Sequence, residues 1–156
     1  MSERRIERDG EGGYRLLLSA GERELLRSLP GQLRELLRSD DPSLERLFPP
    51  AYDQDRAATD EYRELMQREL REGALEALRI VEQTVDATRL DDAELGGWLH
   101  ALESLRLVLG TQLDVTEEMF ADELDPADPR LPGLELYGYL SWLQEQAVAA
   151  LSAGLP

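Results

Sequence analysis

Between Asp91 and Asp114 the chain reads DDAELGGWLHALESLRLVLGTQLD, with Leu95, Leu99, Leu102, Leu105, Leu109 and Leu113 spaced by threes and fours. That is the period of an α-helix, and Trp98 and Val108 widen the apolar stripe to more than half the circumference. A helix so apolar needs neighbours on several sides, which makes it the expected centre of a helical bundle. One polar residue, Arg106, interrupts the stripe. An unpaired buried guanidinium is costly, so Arg106 is expected to hold a carboxylate or to reach the surface. Glu103 is the local candidate, and Glu61, Glu64 and Glu145 are the distant ones.

Turn formers dominate the start of the chain. Residues 4–18 carry strand-like stretches around Asp9-Gly10-Glu11-Gly12-Gly13. This predicts a hairpin of Arg4–Arg8 with Tyr14–Leu18, which must lean on the helices or pair with another copy. No GxxxxGK[ST] pattern makes these glycines a phosphate loop.

Ser19-Ala20-Gly21-Glu22 is a capping box opening a first helix to about Ser39, with Leu26, Leu29, Leu33, Leu36 and Leu37 inward. Pro30 falls in mid-pattern and is expected to kink or split that helix. Arg23, Arg27, Arg34 and Arg38 fall near one side, read as a solvated face or, alternatively, as a phosphate-contacting one.

A stiff connector follows, RLFPPAY at 46–52, after one helical turn at Ser43–Phe48; Leu47, Phe48 and Tyr52 should plug one end of the bundle. From Gln54 to Thr88 the pattern is helical again, through Tyr62, Leu65, Met66, Leu70, Ala74, Ala77, Leu78, Val81 and Val85, with a bend expected at Gly73. Arg89-Leu90 links this helix to the central one, capped by Asp91 with Glu94. So short a link makes the two adjacent and antiparallel.

After Asp114-Val115, a short helix is expected from Thr116 through Phe120. Residues 117–132 read as an acidic loop without the alternating ligands of a calcium site, kept extended by Pro126, Pro129 and Pro132. The last helix is expected over Leu134–Ala153, with Leu136, Leu140, Leu143, Ala147 and Leu151 on one face. Tyr137, Tyr139 and Trp142 cluster at its start, as the aromatic layer of the bundle or as a contact surface for another chain.

Chemistry is sparse. The chain has no cysteine and one histidine, His100, expected to be a partly buried helix residue. A di-metal carboxylate centre needs a Glu-x-x-His pair on each of two helices, whereas His100 has Gly97 at i−3 and Glu103 at i+3. There is no GxSxG and no GxGxxG opening a helix. No enzyme activity, metal or cofactor is expected.

Charge narrows the partners. All 17 basic residues are arginine, against 33 acids, for a net charge of −16. Residues 1–38 are near balance, with eight Arg and seven acids, and the excess lies beyond them. So acidic a body would be repelled by a phosphate backbone, leaving only the N-terminal segment for nucleic acid. No apolar run reaches the roughly 20 residues of a membrane helix, and the start lacks a signal-peptide segment. A cytoplasmic protein is expected.

Several segments together, RLFPPAY at 46–52, EYRELM at 61–66, LRLVLG at 105–110, VTEE at 115–118 and YLSWLQE at 139–145, resemble the actinobacterial domain-of-unknown-function family 2017, also described as the oxidative stress regulator AosR family. The resemblance implies a cytoplasmic regulator of transcription acting through protein contacts, with no catalytic residues to carry over. Without cysteine, thiol sensing is impossible here, and sensing would have to be lost or relayed by a partner.

The expected fold is thus mainly α, one domain over residues 1–156: a β-hairpin at 1–18, then a bundle of about five helices at 19–156. The expected function is regulation through a protein partner, a transcription component, with a homodimer built on the hairpin edge or the aromatic cluster as one assembly. The alternative is DNA binding through the hairpin and the Arg23–Arg38 face.

Overall fold

The structure is a computed structural model and describes residues 4–39, 41–48, 56–115 and 125–153. In chain order it holds β1 (Ile6–Arg8), β2 (Tyr14–Leu16), α1 (Ala20–Leu37), a 3-10 turn (Pro42–Leu44), α2 (Arg56–Thr84), β3 (Arg89–Leu90), α3 (Asp92–Gln112) and α4 (Leu131–Ser152). The described residues therefore form four α-helices rather than about five. The expected short helix Thr116–Phe120, Tyr52, and residues 117–124 of the acidic loop lie outside them.

The hairpin forms with the register Ile6 opposite Leu16 and Arg8 opposite Tyr14, shorter than the expected strands. Gly10 and Gly12 turn it at φ of +81° and +85°, a region open to glycine at little cost. Asp9 Oδ1 fixes the turn by accepting from the backbone N–H groups of Glu11 at 2.7 Å and Gly13 at 3.0 Å. The sheet has a third strand that the sequence reading took for a plain linker. Leu90 pairs opposite Tyr14, and the Leu16 amide donates to the Thr88 carbonyl at 2.9 Å. Two residues are too short for a sequence period to reveal; the strand exists because β2 offers an edge.

Both predicted capping boxes are present, at Ser19/Glu22 and Asp91/Glu94. Pro30 does not break α1, which runs unbroken across it. Its ring is buried, and its missing N–H deprives only the Leu26 carbonyl of a helical donor. Pro132 is likewise no obstacle, because it sits in the first turn of α4, where no N–H is needed. That places the start of α4 three residues before the expected Leu134.

The central helix is α3, packed against both α2 and α4. Leu95, Trp98, Ala101 and Leu102 are at most 1% exposed. Gly97 permits the close approach of α2: a β-carbon there would lie 2.7 Å from Ile80 Cδ1. α3 ends with Asp114 at φ 53°, and the Val115 amide returns to the Gly110 carbonyl at 2.9 Å, a Schellman-type stop. Beyond the 3-10 turn, Leu47 and Phe48 pack against the core as expected.

Candidate functional site

The four arginines of α1 do not form an open cationic face. Arg23 is turned inward, its guanidinium donating to four carbonyls: Leu16 at 3.2 Å, Leu18 at 3.2 Å, Val85 at 2.6 Å and Ala87 at 2.9 Å. It ties the exit of β2 to the end of α2, satisfying carbonyls that a helix terminus leaves open. Arg27 bridges Glu24 and Asp86, Arg34 forks onto Glu82 of α2, and Arg38 pairs with Glu35. The reading of a phosphate-contacting face is thereby weakened, since each cation already has acceptors. Sequence spacing showed the face but could not show the acids of α2 beside it.

The aromatic cluster is divided between two neighbourhoods. Tyr139 and Trp142 lie 6.0 Å apart by ring centroids, tilted by 42°, and Arg5 sits over Trp142 at 5.5 Å. The Tyr139 hydroxyl donates to Glu22 Oε2 at 2.7 Å, and Arg5 Nε to Glu22 Oε1 at 2.7 Å. Glu22 therefore serves as capping residue, ion-pair partner and phenol acceptor at once. Burial alone would raise its carboxyl, but the bonds from Tyr139, the Ser19 amide and Arg5 hold it below its ordinary value. Tyr139 shifts upward, first from burial and then from the hydrogen bond it gives Glu22. Next to it, Gln146 Oε1 takes the amides of Arg5 at 2.5 Å and Ile6 at 3.3 Å, docking β1 on α4. All three aromatic side chains are half-buried, so they lie between the core layer and the contact surface proposed for them.

Tyr137 faces the other way, toward α3. Gly110 admits it: a β-carbon there would be 3.0 Å from Tyr137 Cε2 and 3.4 Å from Arg46 Nη1. One turn earlier Arg106 lies over the same ring, its Cζ 6.0 Å from the centroid. The expected ion pair is not made. Among the described residues no carboxylate reaches Arg106, neither Glu103, Glu61, Glu64 nor Glu145, all of them exposed. Its Nε is buried without an acceptor, an arrangement costing about 1–3 kcal/mol unless something fills it. The i−3 spacing of Glu103 was insufficient because that side chain turns outward, into a cleft shared with Arg46, His100 and Ser104. His100 itself is exposed rather than partly buried.

One surface escaped the sequence reading. The periodic residues of α2 mark a helix throughout, and its fully buried residues begin only at Ala74. Tyr62 is 57% exposed and Leu65 50%, with Leu70 also open. Their three- and four-residue spacing matches that of the buried residues that follow, so period alone does not separate them. Mixed charges around them were the available signal: Glu61, Arg63, Glu64, Arg68 and Glu69 leave little uninterrupted apolar width.

Among the described residues no group of three or more His, Asp or Glu could hold a metal ion, and no helix is long and apolar enough to cross a membrane. No curated protein and no solved structure matches the chain. One family model does match, over residues 3–151, nearly the whole length. The chain belongs to the family described as Domain of unknown function (DUF2017).

Proposed function

We propose that this chain is a non-enzymatic regulatory protein of the cytoplasm that works through protein contacts, as the resemblance to the oxidative-stress transcription regulators suggests. The observation that carries this reading is the first half of α2, where Tyr62, Leu65 and Leu70 stand exposed. Large exposed apolar side chains set among charges are what a partner's surface would bury. The partner in this reading is a component of the transcription machinery. With no cysteine, the chain relays a signal detected elsewhere rather than sensing it through a thiol.

Direct DNA binding is the weaker reading. The arginines it needs are held by Glu24, Glu35, Glu82 and Asp86 and by backbone carbonyls, and the field of the body is acidic.

The test is affinity capture from the native lysate with wild type and the double variant Tyr62→Glu, Leu65→Glu. Both positions are exposed, so the variant should fold with an unchanged circular dichroism spectrum. Wild type should enrich a transcription component that the variant loses. Identical captures from the two proteins, or a gel shift with DNA that the α2 variant leaves intact, would overturn the proposal.

A further inference from the structure

Most arginines with ordered partners among the described residues are tied to carboxylates or to backbone carbonyls; Arg46 and Arg106, like Arg63, are not. Arg106 of α3 lies over the Tyr137 ring, and Arg46, from the turn after Pro42–Leu44, reaches the same glycine that the ring edge packs on. A β-carbon at Gly110 would lie 3.0 Å from Tyr137 Cε2, so the ring would have to give way, and 3.4 Å from Arg46 Nη1. Among the described residues neither guanidinium has a carboxylate within ion-pair distance. The Nε of Arg106 is moreover buried and lacks an acceptor. Glu103 borders the cleft beside Arg46 without pairing to it.

Neighbouring cations repel each other, and the stacking of Arg106 on a phenol offsets that only in part. An anion between them turns the repulsion into two attractions. A guanidinium is a planar fork that matches a carboxylate with two parallel N–H donors. The negative field of a chain at −16 works against anions of high charge density, so carboxylate is preferred over phosphate.

We propose that Arg106, over the Tyr137 ring, and Arg46, beside Gly110, form a binding site for a small organic carboxylate. Leu70 borders the cleft beside Arg46, but the site includes neither Tyr62 nor Leu65, so substitutions there test the protein contact without touching it.

The experiment is an NMR titration of the whole protein at constant ionic strength, following the arginine side-chain Nε–Hε signals. The probes are sodium succinate, sodium phosphate and, as a control, sodium chloride. Succinate should shift the Arg106 and Arg46 signals saturably, and chloride should not. In Arg46→Gln, whose side chain is exposed and outside the core, the apparent Kd should rise about ten-fold, and similarly in Arg106→Gln. Backbone amide spectra of the variants check that the fold is kept. Absence of a saturable shift, a shift that survives both substitutions, or saturation by phosphate alone would overturn the assignment.

Discussion

Trp98 donates its indole N–H to the Thr84 hydroxyl at 2.7 Å, and that hydroxyl donates onward to the Ile80 carbonyl at 2.6 Å. The tryptophan is fully buried, so its only polar atom depends on a single acceptor at the end of α2. Thr84→Val keeps the shape and removes that acceptor. It should lower stability by about 1–3 kcal/mol, the cost of an orphaned buried donor. Thr84→Ser, which keeps the hydroxyl, should lose less. Denaturant unfolding followed by tryptophan fluorescence separates the two.

Arg23 should behave unlike the other arginines of α1. Arg23→Met strands the carbonyls of Val85 and Ala87 and should cost about 2–4 kcal/mol, with faster amide exchange at residues 86–90. Arg38→Met removes only an exposed i,i+3 pair with Glu35, and should change stability by less than about 0.5 kcal/mol.

Adjacent glycines on α3 should respond with opposite signs. At Gly97 an added methyl meets Ile80 at 2.7 and 2.9 Å, a branched side chain fixed between helices. Gly97→Ala should therefore destabilise by about 1–3 kcal/mol through overpacking. At Gly96 nothing lies within 4 Å, so Gly96→Ala should stabilise by up to about 1 kcal/mol from helix propensity. Thermal unfolding of the two variants measures the contrast.

Acid should loosen the hairpin through Asp9. The hydrogen bond from Arg89, followed by that from the Glu11 amide, lowers its carboxyl from 3.8 to about 2. A lowered folded-state value means that the contribution is complete above 3.8 and is lost as pH falls toward 2. The Asp9→Asn protein should be less stable than wild type at pH 5, and the gap should close between pH 4 and pH 2. Urea midpoints across that range provide the check; a gap that is constant with pH would refute the assignment.

The sequence disclosed what repeats and what caps. The leucine period of α3, both capping boxes and the Asp9–Gly13 turn were legible because each signal is local. What it hid was decided between segments. β3 exists through the edge that β2 presents to Arg89-Leu90. Pro30 passes within a helix at a position where its ring is buried by packing between segments. The exposure of Tyr62 and Leu65 was not legible, because periodicity marks a face without saying whether anything covers it. Arg106 stood out in the sequence, but its partner was sought among acids, whereas the structure places it over a tyrosine ring.

The third strand has a consequence for the order in which the chain can settle. β1 and β2 leave the ribosome early, yet β3 lies more than seventy residues downstream, and Gln146, which holds the amides of Arg5 and Ile6, comes later still. The two-stranded hairpin on its own is marginal. During synthesis the beginning of the chain must therefore wait, unpaired on its outer edges, until α4 has emerged. A chain cut short before α4 would betray itself by a frayed N-terminus, which a protease could find before the rest of the bundle gives way.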